Sequence, residues 1–197
     1  QRCWRVRRTT LRVVDEPLPG VKLLAPKVIE DSRGFFMESY NRSNLAELGI
    51  THQFVQDNHS RSSRGVLRGL HYQLGHAQAK LVRVTRGRVF DVVVDIRRGS
   101  PKFGKWAGAE LSEDNRLCLF AEEGFAHGFL VLSDVADFQY KCSDYYSAKD
   151  ERGLPWDDPE IGIDWPLKGL GPLLSERDSG WRSLADVAAD DLPVFAP

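Results

Sequence analysis

Leu81-Val-Arg-Val84, Thr85-Arg-Gly-Arg88 and Val89-Phe-Asp-Val-Val-Val-Asp-Ile96 decide how this chain folds. Phe90, Val92, Val94 and Ile96 alternate, so an extended backbone gathers them on one apolar face and sends Asp91 and Asp95 to the other. Gly87 falls between two such runs, and the stretch reads as a hairpin turning at that glycine. The same period of two runs from about residue 28 to 146, with further strands expected at 35–40, 54–58, 115–120, 128–132 and 136–142. The expectation is a mainly β chain, an antiparallel sandwich or barrel.

Around these strands the signals are sparser. Residues 43–48 read as a short helix closed by Gly49. After Tyr146, Asp157-Asp-Pro159, Asp164-Trp-Pro166 and Gly169-Leu-Gly-Pro172 interrupt every periodicity, so an irregular C-terminal segment is expected to wrap the sandwich and end in a short helix near 184–189. With 197 residues and no evident linker or repeat, the chain reads as one domain over 1–197.

Charge and composition narrow the function classes. Lysine plus arginine number 27 against 28 acidic residues, a net charge of -1, which gives no global reason to expect nucleic acid or an anionic membrane as partner. The basic start Gln1-Arg-Cys-Trp-Arg-Val-Arg-Arg8 is not followed by the apolar stretch of a signal peptide and reads as a solvated segment. No run approaches the ~18 apolar residues of a membrane span. Cys3, Cys118 and Cys142 lack metal spacing, and a reducing, cytoplasmic setting is the simplest reading.

The chemistry-bearing residues fall inside the strands. Gly65 and His71 follow the outline of the first cupin motif, but Gln73 stands at its second histidine and Lys80 at its glutamate. Glu122-Glu-Gly-Phe-Ala-His127 follows the second motif with glutamate in place of proline. An ammonium at position 80 would repel a divalent cation, so the pattern suggests a cupin-like scaffold without its metal. His71 and Tyr140 then form a pair able to take a proton from one face of a carbon and return one to the other, with Lys80 as donor to the resulting oxyanion. Each residue also has a plainer reading. His71 fits a strand histidine satisfied by backbone, His76 a solvated turn histidine, and Lys80 a surface lysine. Tyr140 shares a core face with Phe138 and Cys142, and Asp178 is one more acid in a polar run.

Six blocks in order then carry a resemblance. They are Asp31-Ser-Arg-Gly-Phe-Phe-Met-Glu-Ser-Tyr40, Phe54-Val-Gln-Asp-Asn-His-Ser60, Gly65-Val-Leu-Arg-Gly-Leu-His-Tyr-Gln73, Phe90-Asp-Val-Val-Val-Asp-Ile-Arg97 with Gly99-Ser-Pro101, Gly124-Phe-Ala-His-Gly-Phe129 and Tyr140-Lys141. From about 21 to 178 the chain resembles the dTDP-4-dehydrorhamnose 3,5-epimerase family. The resemblance implies a homodimer of jelly-roll subunits that needs no cofactor and inverts C3 and C5 of dTDP-4-dehydro-6-deoxy-D-glucose. It makes His71 the base, Tyr140 the acid, Asp178 the residue that orients the histidine, and Lys80 the group near the carbonyl. It assigns nucleotide, diphosphate and sugar contacts to Arg33, Glu38, Gln56, Asp57, Asn58, Arg68, His127 and Glu151, leaving Arg152 and Arg177 as flanking candidates.

The stretch before Pro17 departs from the family's usual start. Arg68 and His71 also have opposite parity, which calls for a bulge or an irregular start at Gly69 if both are to face one site. Phe35 and Phe36 on an expected edge strand suit a strand that crosses to a partner subunit. Three rival readings share part of the pattern: a relative that inverts a single carbon in another deoxysugar pathway, a non-catalytic cupin that binds a nucleotide sugar, and a metal-dependent oxygenase, which Gln73 and Lys80 disfavour.

Overall fold

The computed structural model describes residues 10–169 and 171–196, so the basic start and Cys3 lie outside the described residues. Among the described residues thirteen strands run in chain order: β1 Leu11–Leu18, β2 Val21–Pro26, β3 Val28–Asp31, β4 Gly34–Met37, β5 Gln56–Ser63, β6 Leu67–Gln73, β7 Lys80–Arg86, β8 Arg88–Asp95, β9 Trp106–Ser112, β10 Cys118–Ala121, β11 Phe125–Val131, β12 Val135–Cys142 and β13 Glu151–Gly153. Among the described residues a single α-helix, α1, covers Arg42–Glu47. Its cap Asn41 accepts from the backbone N–H groups of Ser43 and Asn44, and Gly49 follows it at φ 83°, as the sequence reading expected.

One sheet has the order β1-β2-β10-β7-β12-β5 and the other β13-β6-β11-β8-β9, while β3 and β4 pair only with each other. β8 pairs with β9, β7 with β10, β6 with β11 and β5 with β12, all antiparallel. This is a long ribbon, β5–β8 against β9–β12, rolled so that consecutive strands alternate between sheets. It is a jelly roll. The rolling corrects the hairpin expected at Gly87, because β7 and β8 belong to different sheets and the glycine turns the chain across the sandwich. At φ 74° Gly87 packs so tightly that a Cβ would fall 2.0 Å from the Val135 carbonyl oxygen.

Three apolar layers result. Val82, Val84, Val89, Val93, Leu119, Phe129, Val131 and Phe138 meet between the sheets. Val92, Val94 and Ile96 instead face outward from the five-stranded sheet, where Leu154, Ile161, Trp165, Leu184 and Leu192 of the C-terminal segment cover them. That segment ends in two 3₁₀ turns, Leu184–Asp186 and Ala189–Asp191, rather than one helix. Leu45 and Ile50, from α1 and the turn after it, cover Leu24, Leu81 and Phe120 on the outer face of the other sheet. Both faces of β8 are therefore buried, and Asp91 and Asp95 need internal partners. Asp95 finds Arg97 at 2.8 Å and Ser100 at 2.6 Å, while the Arg97 guanidinium lies over Phe125 and Phe195.

Gly87→Ala is expected to lower unfolding stability by at least about 1–3 kcal/mol in denaturant titrations, because the methyl collides with backbone and the φ is unsuited to alanine. Wild-type stability in that variant would contradict the crossing described at Gly87.

Candidate active site

The inner faces of the strands change character at one end of the sandwich. Along β12 the inward positions run Ala136, Phe138, Tyr140; along β7, Val84, Val82, Lys80; along β11, Val131, Phe129, His127. Each series begins in the apolar core and ends in a group with a proton to give or share. Inward-facing Gln56, Asn58 and Ser60 on edge strand β5 extend the polar end. Together with Arg68, His71, Gln73, Glu151, Arg177 and Asp178 these side chains line a cavity of about 640 Å³, within the usual range for small-molecule sites.

His71 enters from the sheet opposite Tyr140 and Lys80. On β6, Leu67, Leu70 and Tyr72 pack outward while Arg68 and His71 line the cavity, despite their opposite parity. The expected irregularity lies at Gly69: the β6–β11 register slips between His127↔His71 and Phe129↔Arg68. Gly69 has φ 120°, and a Cβ there would come within 2.5 Å of the Gly128 Cα, so the two backbones approach only because both residues are glycine.

Asp178 stands behind His71, with its Oδ1 2.6 Å from the ring Nε2. Its side chain is only 3% exposed. Burial works against its charge, but the hydrogen bond and charge of His71, the Gly69 N–H and Ser175 outweigh it and hold the carboxyl below its ordinary pKa. Among the described residues the other ring nitrogen of His71 has no protein partner. Across the same cavity, from the other sheet, the Tyr140 phenol is pushed up, chiefly by burial, and so keeps its proton at neutral pH. Burial also draws the Lys80 ammonium down, while Cys142, Asp91 and Glu151 pull it back. No hydrogen bond or ion pair occupies the Lys80 Nζ among the described residues, which leaves it available to an oxygen in the cavity.

Sequence reasoning missed a second buried pair. His127 Nε2 contacts Asp91 at 2.9 Å, and Asp91 is wholly buried. Burial raises the Asp91 carboxyl despite His127 and Lys80. Alternation had placed Asp91 on the face opposite Val92 and Val94, which is correct; that this face is the interior became clear only from the sheet pairing. Tyr146 was also missed: its hydroxyl donates to Glu151 at 2.9 Å, and its N–H to Gln56 at 2.9 Å, at the cavity wall. Arg177 pairs with the same Glu151 oxygen at 2.6 Å. Arg152 bonds Asp191 and does not line the cavity.

The remaining predicted residues divide. Gln56, Asn58, Arg68, His127 and Glu151 line the cavity with the four catalytic candidates. Asp57 does not: period two turns it to the other face of β5, where it pairs with Lys141 at 2.8 Å. Arg33 lies in the β3–β4 turn, exposed and paired with Asp31 at 2.6 Å. Glu38 bonds Thr10 and Asn41, each at 2.9 Å, away from the cavity.

No cluster of His, Cys, Asp and Glu able to hold a metal ion occurs among the described residues. Gln73 and Lys80 stand where a metal-binding cupin carries ligands, and Gln73 is engaged with the backbone of His76 and Ser147.

Residues 15–186 match the family model described as dTDP-4-dehydrorhamnose 3,5-epimerase. The chain belongs to that family. Among curated members of the dTDP-4-dehydrorhamnose 3,5-epimerase family, one from Neisseria gonorrhoeae is 56% identical over 173 residues, 88% of this chain; the chain spans about half (52%) of that relative's length. One from Pseudomonas aeruginosa is 55% identical over 177 residues, covering 89% of this chain and 96% of the relative. The crystal structure of a dTDP-6-deoxy-D-glucose-3,5-epimerase from Legionella pneumophila in complex with dTDP-4-keto-L-rhamnose is similar at a TM-score of 0.92 and 48% identity, over 95% of this chain and 100% of that one. The family read from the sequence blocks and the jelly-roll expectation are both borne out. No helix among the described residues is long and apolar enough to cross a membrane.

Because Asp178 is held below its ordinary pKa of 3.8, it contributes stability that is present above that value and lost as pH falls through its folded pKa. Asp178→Asn is therefore expected to destabilise the protein at pH 7 by about 1–3 kcal/mol. The deficit should shrink below pH 3.8 in denaturant titrations. A deficit independent of pH would contradict a charged Asp178 in the fold.

Proposed function

We propose that this chain, as a single jelly-roll unit, epimerises dTDP-4-dehydro-6-deoxy-D-glucose at C3 and C5. The product is dTDP-4-dehydro-L-rhamnose, in dTDP-L-rhamnose biosynthesis, with no metal or other cofactor. The observation that carries this reading is that His71 and Tyr140 reach one cavity from facing sheets. A sugar ring between them presents one face to the base and the other to the acid.

The C4 ketone makes the protons on C3 and C5 acidic. His71 removes one of them, and the electron pair moves into an enolate with its charge on the C4 oxygen. Lys80 stabilises that oxygen, an interaction strongest when the charge has formed, so it lowers the barrier rather than merely binding substrate. Tyr140 then returns a proton to the same carbon from the opposite face, and exchange with water resets both groups. Asp178 fixes the imidazole and stabilises its protonated form. Repetition at the second carbon completes the inversion.

Gln56, Asn58, Arg68, His127 and Glu151 hold the nucleotide and sugar from within the cavity, Arg68 through the planar fork that suits a diphosphate. Arg33 and Glu38 belong to this list only if a second subunit supplies them. The β3–β4 ribbon suits that role, since it joins neither large sheet and exposes Phe35 at 56% and Phe36 at 70%. The working unit is then a homodimer, in the cytoplasm, in which each ribbon reaches the partner's cavity.

In D₂O, wild-type protein is expected to place deuterium at both C3 and C5 of the substrate. His71→Ala should lose about 10²–10⁴ of that exchange at both carbons. Tyr140→Phe should retain part of the exchange while inversion slows. Exchange at one carbon would point to a single-carbon epimerase, none at all to a binding protein, and an active His71→Ala would remove His71 as the base. Arg33→Ala should raise KM and leave kcat near wild type; an unchanged KM would contradict the crossing ribbon.

A further inference from the structure

We propose that Trp181 is a positioning residue for the His71–Asp178 pair, holding both partners from outside the cavity. The inference rests on His71 acting as the base. The indole Nε1–H donates to Asp178 Oδ1 at 3.4 Å, the same oxygen that contacts His71 Nε2 at 2.6 Å. The indole also meets the imidazole edge to face, with ring centroids 6.2 Å apart at 71°. One side chain thus touches both members of the pair.

The place for that indole is built into the backbone. Gly153 on β13 lies opposite His71 on β6 in the antiparallel register. A Cβ on Gly153 would fall 2.3 Å from the indole Cε2 and 2.6 Å from Nε1, so the ring rests directly on the glycine. Any larger residue there would push the indole off the pair. From the other direction, Asp178 and Trp181 lie in one tight run: the Asp178 N–H bonds Ser175 Oγ at 3.1 Å and the Gly180 N–H bonds the Arg177 carbonyl at 3.1 Å. The turn fixes the distance between carboxylate and indole, and β13 fixes where the indole sits against β6.

Removing the indole N–H takes a neutral donor from the carboxylate. The pair then holds a proton more tightly, because Asp178 has lost a group that satisfied its charge without competing for the proton. Around the pair, Arg177 Nε lies 3.7 Å from Asp178 Oδ1 and Arg177 also pairs Glu151, while Arg68, Lys80, His127 and Tyr140 line the cavity that His71 faces. All remain in place when Trp181 is changed. The Gly69 N–H, 3.5 Å from Oδ2, remains as well.

The test is kcat and KM for the dTDP-4-keto sugar across pH in Trp181→Phe, Gly153→Ala and the double variant, beside His71→Ala and thermal melts. Trp181→Phe keeps an aromatic side chain beside Gly153 and removes the donor. It is expected to lower kcat by about fivefold with KM unchanged. The acidic limb of kcat/KM should move upward by a few tenths of a pH unit. Gly153→Ala should reproduce the limb shift by displacing the indole, and the double variant should not add the two effects. A wild-type kcat and pH profile in Trp181→Phe, a change confined to KM, or a loss of rate that only follows a lowered melting temperature would overturn the proposal. An active His71→Ala would instead overturn the base assignment on which it rests.

Discussion

Everything this chain does depends on an interior that is only partly filled. Two sheets of a sandwich stand about 10 Å apart, a gap that large apolar side chains close and that, left open, would expose unpartnered polar groups. Phe129 and Phe138 stack at 4.0 Å and close it. One inward position further along the same strands, His127 and Tyr140 leave it open. The core thus forms the floor of the site, and its rigidity is what allows groups on different strands to be set against one another.

The polar end survives because its charges are arranged in pairs. Asp178 has His71, Asp91 has His127, and Glu151 has Arg177 and Tyr146. Lys80 is the exception, half-buried and without a hydrogen bond or ion pair among the described residues. A buried cation without a partner costs stability. It is tolerable here because Asp91 and Glu151 act on it through space and because an oxygen arriving in the cavity would meet a donor already desolvated. Among the described residues, the cation at this end without a hydrogen bond or ion pair is the one the proposed chemistry requires.

Much of this was legible in the sequence, and the rest was not for identifiable reasons. Period two put Tyr140 on an inward face with Phe138, the outline of the cupin motifs brought Lys80 and His127 to the pocket, and the parity conflict between Arg68 and His71 located the irregularity at Gly69. Alternation could not tell a hairpin from a crossing between sheets at Gly87, since both need the same turn residue, so it could not say that the aspartate face of β8 was the interior. β9 went unread because its pattern is diluted by Gly108, which makes room for Phe90. β1, an edge strand interrupted by Pro17 and by shifts in its register with β2, escaped for a similar reason. Trp181 lies in a segment with no periodicity, and its role comes from β13 pairing with β6 far away in sequence.

The central claim is that a sugar ring lies between His71 and Tyr140, with its ketone oxygen toward Lys80. A crystal structure of the complex with a non-reacting dTDP-hexose tests it most directly. The account predicts the His71 imidazole and the Tyr140 phenol on opposite faces of the ring, the C4 oxygen near the Lys80 Nζ, and the diphosphate beside Arg68. A ring with both side chains on the same face, or with its C4 oxygen turned away from Lys80, would contradict it.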